Sequence, residues 1–250
     1  MLDPALEPLS LPVPSPPPIA LSQRLGALIE VVLCSGFPTQ LFLIAVLTSV
    51  GVRPTTANGG WSPFFISTLS MLDTVFVIAL IGLFLSAHRE RARDVLLGQR
   101  RIWSEIMTGI ALLPLIFIAA TVMLALLYLL APQLRNVPDN PFAGMLQTRT
   151  DAIMFGIVAM IAGGVREEIQ RGFILHRFKH YLGGGAVGVV LYSVLFGLGH
   201  FEQGWDATIA VALLGAIWGV VYLARGSIIA PMVSHAGFNL SQVIKVLMLR

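Results

Sequence analysis

Three short runs place acid–base groups inside otherwise apolar sequence: VREEIQRG at 165–172, FGLGH at 196–200 and SHAGFN at 234–239. Between them they supply two carboxylates (Glu167, Glu168), a guanidinium (Arg171), two imidazoles (His200, His235) and an amide (Asn239). A carboxylate that takes a proton from water, opposite neutral donors that stabilise an oxyanion, is the equipment of hydrolysis. On a helix Glu167 and Arg171 are four apart and share a face, so they can pair, while Glu168 points about 100° away. One arginine cannot neutralise both acids equally, which leaves one carboxylate available as a base. His235 and Asn239 lie one helical turn apart and address one small volume, and Phe196 and His200 repeat that spacing. Two histidines and a glutamate can also hold zinc, with His200, His235 and Glu167 as ligands. No His-Glu-x-x-His helix of the soluble zinc proteases is present, so zinc ranks second here and no other cofactor is expected.

The surroundings that must position these groups are those of a membrane protein. Of 250 residues, 56% are hydrophobic and 12% charged, with a mean hydropathy of +0.83. A soluble domain carries about 25% charged residues, which excludes that class. The net charge of +3 comes from basic residues clustered between apolar runs, so no nucleic-acid partner is expected. The expected partners are the lipid bilayer and a membrane-associated peptide or protein.

Crossing about 30 Å of hydrocarbon takes about 20 helical residues. Seven segments qualify, near 25–51, 64–87, 105–131, 152–175, 186–204, 206–224 and 228–248, which predicts an all-α, polytopic transmembrane bundle of about seven helices. Residues 1–22 read as a disordered, proline-rich tail, 23–150 as N-terminal membrane helices and loops, and 151–250 as the catalytic helices. The basic segments at 88–101 and at His176, Arg177, Lys179 and His180 should face the cytoplasm. That puts the amino terminus in the cytoplasm, the 132–150 loop outside and, with an odd helix count, the carboxyl end outside. His176 and His180 are expected in a solvated loop that meets anionic headgroups.

Charges at membrane depth cost about 2.5–3.5 kcal/mol each, so each should have a partner or a task. Asp73 reads as a structural interhelical hydrogen bonder. Counted from the inner surface at 1.5 Å per residue, His235 lies at about 10 Å, Glu167 at about 12 Å and His200 at about 15–21 Å. One pocket nearer the cytoplasmic side can contain all three.

Through these three motifs, residues 150–245 resemble the CPBP family, also called the ABI or CAAX-protease and bacteriocin-processing family, relatives of the type II CAAX prenyl endopeptidases. The family pattern is Glu-Glu-x-x-x-Arg, then Phe-x-x-x-His, then His-x-x-x-Asn. The second and third occur intact at Phe196 to His200 and His235 to Asn239, whereas the first has two residues between Glu168 and Arg171 instead of three. The resemblance implies an intramembrane endopeptidase, glutamic or zinc-dependent, of a bacterial inner membrane. Glu167 would be the base with Glu168 second, Arg171 would order the carboxylate pair, His200 would assist, and His235 and Asn239 would stabilise the oxyanion. The rival expectation is a non-catalytic protein of the same fold, in an immunity or scaffold role, or a proton-linked transporter.

Overall fold

The computed structural model describes residues 18–137, 145, 146 and 148–248. The tail expected at 1–22 lies outside them up to residue 17, and Leu21 and Ser22 already belong to the first helix. Among the described residues the chain is all-α, with no strand. In chain order the α-helices are α1 (Leu21–Leu33), α2 (Phe37–Ser49), α3 (Pro63–Ala87), α4 (Ile102–Leu130), α5 (Arg149–Val158), α6 (Glu167–Tyr181), α7 (Gly185–Leu198), α8 (Trp205–Arg225) and α9 (Ile229–Met248). Each of the seven predicted segments corresponds to one of these helices or to a joined group of them. By length and composition α3, α4 and α8 are fit to cross a membrane, and the bent pair α1 and α2 makes a fourth.

Three departures from the predicted segments bear on the site. The first segment is broken: α1 and α2 meet at 42° around Gly36, whose φ of +86° is a left-handed conformation that glycine adopts without strain. A Cβ there would also sit 2.6 Å from Arg166 Nη2, so the break doubles as a docking surface for that arginine. The fourth segment is longer than expected, since α5, a π-helical stretch (Ala159–Arg166) and α6 run on without interruption from 149 to 181. The fifth is shorter, because α7 stops at Leu198 and a 3₁₀ turn, Phe201–Gln203, follows.

Apolar and polar residues are distributed as lipid demands. In α4 the mean hydropathy reaches 2.8, yet Leu115, Ile118, Val122 and Leu126 are exposed while Glu105 and Gly109 are buried. Helix association therefore depends on close packing and polar pairing rather than on hiding oily faces from water. The π stretch shows the packing half of this. It carries Ala162, Gly163 and Gly164, and α9 lies so near that a Cβ on Gly164 would be 2.6 Å from that of Ala236.

Ion pairs supply the rest. Arg225, ending α8, donates to Glu105 of α4 at 2.7 and 2.8 Å. Arg177 of α6 donates to Glu30 of α1 at 2.5 Å and to Glu90, beyond α3, at 2.6 Å. His88 lies 2.6 Å from Glu30, and His176 lies 2.8 Å from Glu90. The solvated basic loop expected around His176 is thereby corrected. Both residues are on α6, and Arg177, at 1% side-chain exposure, is an interior cation clamped by Glu30 of α1 and by Glu90 of the segment after α3. Only Lys179 and His180 of that group are exposed.

Candidate active site

Glu167 and Glu168 open α6, 14 residues from its end at Tyr181 and 18 from Arg149 at the other end of the continuous helix. At 1.5 Å per residue that is about 21 and 27 Å, so the pair sits near mid-helix, deeper than predicted. The π-helical turns just before it widen the backbone, a feature that recurs at functional sites.

The two acids face different surroundings. Glu168 is fully buried; one oxygen accepts from Arg171 Nη1 and also from His235 Nδ1, the latter at 2.7 Å. Arg171, buried too, lies over the ring of Phe196 at 4.7 Å and near that of Trp218 at 5.5 Å. The predicted pair of Glu167 with Arg171 is therefore replaced by Glu168 with Arg171. Spacings of three and four both bring side chains together on a helix, and the interior, where His235 and the aromatic rings enclose the cation, selects the nearer acid. Glu167 keeps 18% side-chain exposure, and its Oε2 stands 3.8 Å from His235 Nε2.

His235 is held on every side. Its ring stacks on Trp218 at 3.9 Å and 17°, and Trp218 Nε1 donates to Ser234 Oγ at 2.9 Å. With Nδ1 donating to the Glu168 carboxylate, Nε2 is the nitrogen turned toward Glu167. His200 falls just beyond α7 rather than within a helix, and its Nδ1 donates to the Phe196 carbonyl at 2.9 Å. The Phe196 ring stands between the imidazoles, with its centroid 5.1 Å from that of His200 and 6.2 Å from that of His235. Asn239 packs over Gly163 and donates to the Ala159 carbonyl at 3.2 Å. Glu167, His200, His235 and Asn239 all line one cavity of about 620 Å³.

As ligands for zinc, Glu167, His200 and His235 do not fit. Among the described residues no three His, Cys, Asp or Glu side chains gather as a metal-binding group. His200 Nδ1 and His235 Nδ1 are engaged by the Phe196 carbonyl and by Glu168, which leaves Nε2 of each ring as the nitrogen that could ligate.

Trp218, Ser234 and the Arg166–Asp73 pair escape a reading of the sequence. Trp61, Trp103 and Trp205 lie at helix ends, whereas Trp218 is well inside α8, and that position was the available signal. Asp73 does bond between helices, but its partners include a cation. It accepts from Arg166, the residue before Glu167, from Thr39 and, at 3.3 Å, from Gln40. With Gln170 donating to the Cys34 carbonyl at 2.6 Å, these contacts tie the break between α1 and α2 to the helix of the two acids.

Fold and site together define a helical integral membrane protein with a sheltered cluster of carboxylate, imidazole and amide groups. Residues 149–241 match the family model Type II CAAX prenyl endopeptidase Rce1-like. The matched stretch, 93 of the 250 residues, is thus similar to the CAAX-type endopeptidases of that family, and all six candidate residues fall within it. No curated protein and no solved structure matches the chain.

Proposed function

We propose that the protein hydrolyses a peptide bond of a membrane-associated peptide or protein, with Glu167 as the base that activates water. The observation that carries this is the division of labour between adjacent acids: Glu168 is fully buried and held through one oxygen by both Arg171 and His235, while Glu167 faces the cavity 3.8 Å from His235 Nε2. Glu167 takes a proton from water as the oxygen adds to the carbonyl carbon. Asn239 donates to the oxyanion with its second amide hydrogen, and His235 and His200 donate from Nε2 in their doubly protonated form, since Nδ1 of each is already engaged by Glu168 and by the Phe196 carbonyl. As the oxyanion collapses the C–N bond breaks, and Glu167 returns the proton to the leaving amine. Glu168 and Arg171 act through His235, fixing its tautomer and orientation. The protein belongs in a bacterial inner membrane with the basic end, at 88–101 and Lys179, toward the cytoplasm together with its amino terminus.

The test is cleavage of a membrane-bound peptide by purified protein. Glu167→Gln, His200→Ala and His235→Ala should leave the protein folded in detergent, and the Glu167 variant should lose about 10²–10⁴-fold in rate. Cleavage that survives all three substitutions would overturn the proposal, and gradient-driven flux in their place would establish the transporter.

A further inference from the structure

We infer, on the basis of that protease reading, that the substrate is an internal peptide bond. The polypeptide around it continues for several residues in both directions and lies in two cavities that meet end to end at Glu167. One cavity, of about 630 Å³, is lined along the catalytic helix by Gln170, Ile174 and Phe178, all beyond Glu167. The other, of about 620 Å³, is lined along the same helix by Phe155, Val158 and Ala162, all before it. Glu167, Phe196, Gly199, His200 and Gln203 line both.

The neighbouring helices confirm that the two cavities extend in opposite directions. Helix α7 runs antiparallel to α6, with Gly188 against Phe178, so Leu191 marks the far part of the first cavity and His200 the junction. Helix α9 runs antiparallel to the π stretch and α5, with Gly164 against Ala236 and Gly156 against Val243. Gln242 and Val243 therefore mark the far part of the second.

From Glu167 to Phe178 is 11 residues and to Phe155 is 12, or about 16 and 18 Å at 1.5 Å per helical residue. An extended chain advances about 3.3 Å per residue, so each arm takes about five residues. A chain that stopped three residues past the scissile bond would reach only about 10 Å into its arm. The walls indicate which kind of segment fits. Beyond Gln170 the first arm is walled mainly by apolar side chains, of which Leu191, Val194 and Leu195 are about half exposed toward lipid, at 49, 52 and 47%. The second gathers Asn239, Gln242 and Lys245. A polypeptide that passes from a membrane span into a polar stretch matches both.

The probe is a synthetic peptide of ten apolar residues followed by ten polar ones, with an amidated carboxyl end, reconstituted with the protein in vesicles. Wild-type protein is expected to cut it near the junction, and trimming the polar part to three residues should lower kcat/KM severalfold. Gln242→Trp, at an exposed position, should slow cleavage of the long peptide and spare the trimmed one; Leu191→Trp should slow both. Binding is read separately in Glu167→Gln protein, with photoreactive residues five positions to either side of the junction. One should crosslink to the 170–178 and 191–195 walls, the other to the 155–162 and 242–245 walls. A requirement for a free carboxylate within three residues of the cut, both probes in one arm, or no capture in either arm overturns the inference. Capture in both arms without cleavage by wild-type protein overturns the protease reading and leaves the two-arm binding standing.

Discussion

At one end of the bundle Arg177 lies between Glu30 and Glu90, with His88 and His176 against the same two carboxylates. Halfway along it, Arg171 holds Glu168 together with His235, and a further acid, Glu167, is left facing a cavity. The ingredients are the same, and an arginine and a glutamate are buried in both. In the first cluster each carboxylate is consumed by partners from other helices, which makes it a clamp. In the second, one carboxylate remains beside an imidazole that its neighbour has oriented. A buried charge in a membrane helix therefore indicates a partner, and a task follows only where a group stays unsaturated next to open space.

The comparison can be broken first at the clamp. Arg177→Met strands the buried Glu30 and takes a partner from the half-buried Glu90, which should cost about 3–5 kcal/mol of stability and lower the unfolding temperature in detergent. Cleavage per folded molecule should change little. Loss of activity greater than loss of folded protein would show that the clamp shares in catalysis.

A smaller effect should come from the wall of the site. Trp218→Phe keeps a ring against His235 and removes the hydrogen bond to Ser234, at a cost of about 1 kcal/mol. Turnover should fall severalfold, because the change loosens the imidazole beside Glu167. An unchanged kcat would mean that stacking alone holds His235.

The smallest effect concerns acid. Burial pushes the Glu90 carboxyl up, but hydrogen bonds from His176 and Arg177 outweigh it and hold it below its ordinary range. Its folded value is depressed, so its contribution is present above the ordinary carboxylate range and is lost as pH falls through the folded value. Wild-type protein should lose thermal stability across that acidic window, and Glu90→Gln should show a shallower dependence. Parallel pH curves for the two proteins would remove Glu90 from the clamp's electrostatics.

Much of this was legible in one dimension. The apolar runs gave the all-α bundle, because a span of lipid demands a minimum helix length whatever packs around it. The three polar runs yielded the residues that line one cavity. Partner choice was not legible. Arg171 has acids three and four residues behind it, and nothing local separates them until His235 and the rings of Phe196 and Trp218 enclose one side. Arg177 reads as a loop cation until Glu30, far away in sequence, is found against it.

By itself, then, the sequence determined that the chain lives in a membrane, which residues are too polar to be there idly, and that they recur at helical spacing. Only the tertiary structure decided which acid is paired with Arg171 and which faces the cavity. It also decided where the first span breaks and that two cavities join at Glu167. The physical reason is that hydropathy and periodicity are properties of one helix, whereas the state of a buried charge is set by whatever other helices bring within a few ångströms of it.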